Sequence, residues 1–170
     1  MKKELTDLND EEAFPRFLDC PYEHEIPYPR DHYRELEDGS YVPMHHWCFL
    51  GEITYCSTVM SRLCLTVKDR TEKIINVAFY LDPHAYGEVP DFPVHHNIPR
   101  ALTKKGNTIA ILYPHQHDFV DGSIGFRIEN GDRVQVGPIL FGGGLAKRLT
   151  YLVFPLHFGT TARSRRSHLD

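Results

Sequence analysis

Eleven histidines stand among the 170 residues, and imidazole is both a common transition-metal ligand and the side chain that titrates nearest neutrality. His115-Gln116-His117 has the spacing that puts two imidazoles on one face of a strand. His45, His46, His95 and His96 are the other imidazoles a metal site would recruit. A His-x-His site is completed by a carboxylate at ligand spacing, yet Glu129 lies well along the chain and beyond a turn signal, so the third and fourth donors are not evident. His115 and His117 are therefore metal candidates whose expected state is that of ordinary loop histidines, and no cofactor is expected.

Nucleophilic and phosphate-transfer chemistry finds less support. There is no Gly-x-Ser-x-Gly elbow, and Gly142-Gly143-Gly144 is not followed by the Gly-Lys-Ser/Thr of a phosphate loop. The four cysteines, Cys20, Cys48, Cys56 and Cys64, form no Cys-x-x-Cys pair. They read as small buried hydrophobes of a reducing compartment, with three of them on strands. The chain is not expected to be an enzyme.

The elements that would position any site are strands. Leu63, Leu65 and Val67 alternate with Arg62, Thr66 and Lys68, and Ile75, Val77, Phe79 and Leu81 repeat the pattern after a charged turn containing Asp69. This period of two marks a half-buried hairpin that must cover one face with something else. Before it, Trp47, Phe49, Ile53 and Tyr55 share a parity in a first strand, with Gly51 interrupting as a bulge or bend. Trp47 is expected in the core if that parity points inward; outward it would be a stacking or partner anchor. After it come an irregular stretch over 82–97, a short helix over 98–106 opened by Pro99 and capped by Gly106, a fourth strand over 107–113, and a fifth over 123–136 with Asn130-Gly131 as a turn inside it. Three strands, a short helix and two strands are the layout of an OB-fold. The expected class is thus all-β with one short helix: a five-stranded OB-fold-like Greek-key barrel with irregular N- and C-terminal arms.

Residues 1–44 form the expected N-terminal arm, acidic and rich in proline. Positions 1–46 hold twelve acidic residues against five basic ones, so an acidic arm precedes a mildly basic body within a net charge of -4. Its scattered tyrosines suit it to wrapping the body or awaiting a partner. The barrel is expected over 45–137, and 138–170 form a flexible tail with an apolar segment, 149–158, and a basic cluster, 163–166. No apolar run near the start resembles a secretory signal, and 149–158 is too short for a bilayer, which takes about 20 residues. A soluble cytoplasmic or nuclear protein without membrane attachment is expected.

His46 to Ile53, Val77 to Tyr80, and Lys105 to Tyr113 with His117, Phe119, Asp121, Gly122, Gly125, Arg127 and Glu129 resemble the barrel domain of fungal proteins that often carry a MYND-type zinc finger. The resemblance covers 45 to about 136 and implies a barrel but no catalytic residue. The cysteine-rich finger itself is absent from this sequence.

On such a barrel, Arg62, Lys68, Arg70 and Lys73 fall on the outer face or turn of the hairpin, Tyr80 shares the outer parity, and Arg127 and Arg133 extend the stripe. Cations around an aromatic ring are what a single-stranded nucleic acid requires. Asp69 and Glu72 interrupt the stripe, and a pI near 6.2 falls short of the usual basic footprint. The leading expectation is therefore a non-enzymatic barrel module that binds a protein partner or serves as an accessory domain in a larger regulatory system. Single-stranded nucleic-acid binding through the hairpin face is the alternative, and a histidine-ligated metal site the third reading.

Overall fold

A computed structural model describes residues 7–25, 27–59, 62–81, 98 and 100–138. The arm contributes β1 (Tyr33–Glu35) and β2 (Tyr41–Pro43), an antiparallel hairpin. The body contributes β3 (Cys48–Val59), β4 (Arg62–Lys68), β5 (Ile74–Phe79), β6 (Asn107–Leu112), β7 (Gln116–Asp118), β8 (Ile124–Ile128) and β9 (Val134–Pro138). These seven form one sheet in the order β7-β8-β5-β4-β3-β6-β9, antiparallel except where β8 runs parallel to β5.

The protein is all-β, but three parts of the expected architecture are corrected. Among the described residues there are nine strands in two sheets and not five in one. The expected helix over 98–106 is, among the described residues, a single 3₁₀ turn at Arg100–Leu102. The expected fifth strand is divided into β8 and β9. Asn130 caps a 3₁₀ turn, Gly131–Arg133, its side chain accepting the Asp132 N–H at 2.8 Å. The two halves then pair at opposite ends of the sheet, β8 with β5 and β9 with β6.

That division forces the sheet to curl. Five strand spacings separate β8 from β9 in the ladder, about 24 Å if flat. The six steps from Ile128 to Val134 reach at most about 21 Å fully extended, and less through a 3₁₀ turn. Curvature brings the ends together, although no ladder pairs β8 with β9 and the sheet remains open.

The core lies inside the curl: Phe49 and Ile53 of β3, Leu65 and Val67 of β4, Ile75, Val77 and Phe79 of β5, and residues of β6, β8 and β9. The arm also enters it. Phe17 packs edge-on against Phe126 with ring centroids 5.1 Å apart, and Cys20 joins the same cluster. An irregular arm was expected; instead it carries a 3₁₀ turn at Phe17–Asp19 and the β1–β2 hairpin, since each apolar side chain it places against the body stabilises by burial. Residues 82–97 and the tail from 139 onward, including the 163–166 cluster, lie outside the described residues.

Candidate functional site

Alternation on β4 and β5 sends Leu65, Val67, Ile75, Val77 and Phe79 inward and Arg62, Cys64, Thr66, Lys68, Ile74, Asn76 and Ala78 outward. Cys64 faces Ala78, so the same register sets Arg62 opposite Tyr80, just past the end of β5. Tyr80 keeps its place through its N–H, which donates to the Ile128 carbonyl at 2.7 Å. Arg127 projects from β8 beside Ala78. The result is a guanidinium–phenol–guanidinium cluster: Arg62 lies 4.2 Å and Arg127 4.7 Å from the centroid of the Tyr80 ring. Arg127 is also paired with Glu129 at 2.5 Å.

A second aromatic on this surface contradicts the expected parity. Tyr55 shares odd numbering with the inward Phe49 and Ile53, yet it is 62% exposed. A β-bulge between Ile53 and Tyr55 shifts the register by one residue and turns Tyr55, Ser57 and Val59 outward, opposite Thr66, Cys64 and Arg62. Gly51, where the bulge was expected, serves packing instead. A Cβ there would stand 2.8 Å from the Phe49 ring and 3.2 Å from Val67 Cβ. The outward face is thus floored by the small side chains of Ser57, Cys64, Thr66, Ala78 and Asn76, with Tyr55 toward one side and the Tyr80 cluster at one end.

The other cations named from the sequence are used differently. Lys68 bridges Glu72 at 3.0 Å and Glu52 at 3.7 Å, and the hydrogen bond to Glu72 raises its pKa. Arg70 reaches back to the arm, donating to the Leu8 carbonyl at 2.5 Å and lying 3.9 Å from Glu11. The Lys73 ammonium sits 5.7 Å from the Phe17 ring centroid. Between them, Asp69 holds the turn. Its carboxylate accepts N–H groups from Thr71, Lys73 and Phe17 and the Thr71 hydroxyl, all within 3.2 Å. Burial opposes the charge, but these donors outweigh it and lower the Asp69 pKa. The stripe therefore divides: its turn end secures the arm, and its far end, Arg62 with Arg127, surrounds an aromatic ring.

The histidines also join arm to body. His115 Nε2 and Tyr33 Oη are 2.7 Å apart, and the imidazole stacks on Tyr28 and Tyr33. Burial, and then the charge of Arg133, lower its pKa and favour the neutral ring. His117 Nδ1 hydrogen-bonds the Glu23 carboxylate. His45 lies against Trp47 and 3.7 Å from Glu12. Trp47, 1% exposed, is buried as expected, but beneath the arm, with Tyr33 and Tyr113 edge-on to it. Among the described residues no three His, Cys, Asp or Glu side chains gather around a common point. His95 and His96 lie outside them. Cys20 and Cys48 are buried, with burial pushing the Cys48 thiol up to about 12, while Cys56 is exposed, contrary to the expectation that all four are buried.

Beyond Arg127 the surface continues into a cleft of about 440 Å³ between the end of β6 and the β8–β9 turn, where Tyr113, His115, Glu129 and Arg133 are among the lining residues. Arg133 was read only as a possible extension of the stripe. Tyr55 was missed, because nothing in the sequence around Thr54 announces a bulge.

Fold and surface together define an open β-sheet module with a cationic and aromatic outer face. No family model matches the chain, and no curated protein does. Solved structures with a similar course include the S. pombe Stn1–Ten1 complex (16% identity, TM-score 0.37, covering 56% of this chain and 60% of that one). A replication protein A heterotrimer bound to ssDNA follows at 10% identity and TM-score 0.35, with 64% and 73% covered. A murine DNA binding protein bound with ds DNA gives 9% identity and TM-score 0.35, with 58% and 43% covered. The alignments with the first and third span less than two thirds of those chains. No helix among the described residues is long and apolar enough to cross a membrane.

Proposed function

We propose that this chain is a non-enzymatic, OB-like barrel module that binds single-stranded nucleic acid across the outward face of β3, β4, β5 and β8. The observation that carries the reading is the Arg62–Tyr80–Arg127 cluster at one end of a face floored by small residues. Ring and guanidinium planes stack on bases whatever the sequence, and the same guanidinium groups contact the adjoining phosphates. Tyr55 adds a second ring on the same face, two strands away. The sheet is curled but open, with β8 and β9 joined by the chain and not by a ladder, so the barrel of this reading is an incomplete one.

A protein partner on the same face is the second reading, favoured by the exposed Val59 and Ile74 beside it. Titration of a labelled oligothymidylate at several salt concentrations separates the two. Nucleic-acid binding gives an affinity that falls with salt, with a slope of about -0.7 for each phosphate contacted. Tyr80→Ala is expected to weaken it by about 1–3 kcal/mol. Absence of oligonucleotide binding at low salt refutes the first reading and leaves the second.

A further inference from the structure

The cleft beside Arg133 shares its border residue, Arg127, with the Tyr80 cluster, so the open face and the cleft adjoin at that side chain. At about 440 Å³ it lies within the roughly 300–1,000 Å³ of small-ligand sites. Its two carboxylates are already answered, Glu129 by Arg127 and Glu23 by His117. Arg133 makes no ion pair among the described residues. Tyr113, in the wall, has φ 52°, a left-handed backbone that a bulky residue adopts only under strain and that tends to mark working sites. Its ring is fixed there by Trp47, 4.9 Å away, by a hydrogen bond from the backbone N–H to the Trp47 carbonyl, and by one between its hydroxyl and His46.

We propose that this cleft receives a further nucleotide of the strand that crosses the Tyr80 face, with its phosphate on Arg133 and its base against Tyr113. The inference rests on the nucleic-acid reading and lengthens its footprint beyond the β4–β5 hairpin. The Arg133 guanidinium, without an ion pair among the described residues, supplies planar, bidentate recognition of a phosphate, and the fixed ring supplies a surface for one base.

The test is fluorescence anisotropy of the full chain with oligothymidylates of about four and about twelve nucleotides, lengths within the site sizes of such barrels. Arg133→Ala is expected to weaken the longer strand about tenfold, to flatten its salt slope by about 0.7, and to leave the shorter one unchanged, while Arg133→Lys retains most of the affinity. Arg62→Ala should weaken both lengths. On the unaltered chain, ultraviolet crosslinking of a strand carrying 5-iodouridine is expected to give an adduct at Tyr113. Unchanged binding by Arg133→Ala, or adducts confined to Tyr55 and Tyr80, overturns the cleft while the face reading stands. If the unaltered chain binds neither length, the face reading fails and the cleft with it.

Discussion

Asp69 shows how much one side chain secures. It is 4% exposed and answers three backbone donors and a hydroxyl, one of the N–H groups coming from Phe17, 52 residues earlier. As a turn residue it was legible from its place between two alternating runs; the bond to the arm was not, because nothing local encodes a contact so distant. Asp69→Asn is expected to cost about 2 kcal/mol of unfolding free energy at neutral pH, measured by urea denaturation. Because the folded pKa is lowered, the difference holds above the unfolded value of about 3.9 and vanishes as pH falls through the folded value. His115 has a lowered pKa too, with the opposite charge change. The unfolded ring takes up a proton near pH 6.5 that the folded one resists, so stability falls on acidification below that point. His115→Phe keeps an aromatic between Tyr28 and Tyr33 and should flatten that part of the stability–pH profile.

At the scale of elements, the β4–β5 hairpin was the most readable part of the chain, since strict alternation specifies both strands and the face each residue takes. Reading failed where alternation is broken by geometry alone. The bulge after Ile53 reverses Tyr55, and the β8–β9 division follows from pairing partners far away in sequence. The cationic cluster was half legible: parity placed Arg62 and Tyr80 together, but only the parallel pairing of β8 with β5 brings Arg127 to them. That pairing depends on Gly125, where a Cβ would stand 2.1 Å from the Asn76 carbonyl oxygen and 2.9 Å from the Phe119 ring. Both β8 and its neighbour must move to admit a methyl group. Gly125→Ala is expected to destabilise the fold by about 3 kcal/mol, seen in thermal melts, and to weaken oligonucleotide binding by displacing Arg127.

For the whole molecule, the arm is part of what holds the curled sheet together. Phe17 is 2% exposed in the core, Gln116 Nε2 donates to the Cys20 carbonyl at 2.7 Å, and the β1–β2 hairpin covers Trp47. Its tyrosines made wrapping of the body one of two expectations, but acidic and proline-rich composition concealed the entry of Phe17 and Cys20 into the core, since composition reports average solvation and a few apolar anchors decide docking. Phe17→Ala should cost about 3–5 kcal/mol, as for a barrel core residue, with Trp47 emission reporting the loss of burial. The acidic arm also locates the charge. Its Glu11 lies 3.9 Å from Arg70 at the turn end of the hairpin, whereas Arg62 at the Tyr80 end makes no ion pair among the described residues and Arg127 is shared with Glu129. The most direct measurement is an amide-shift titration of the isotope-labelled chain with a single-stranded oligonucleotide. Shifts should concentrate at Arg62, Cys64, Ala78, Tyr80 and Arg127; no shifts, or shifts confined to the β1–β2 hairpin, would contradict the assignment of this face.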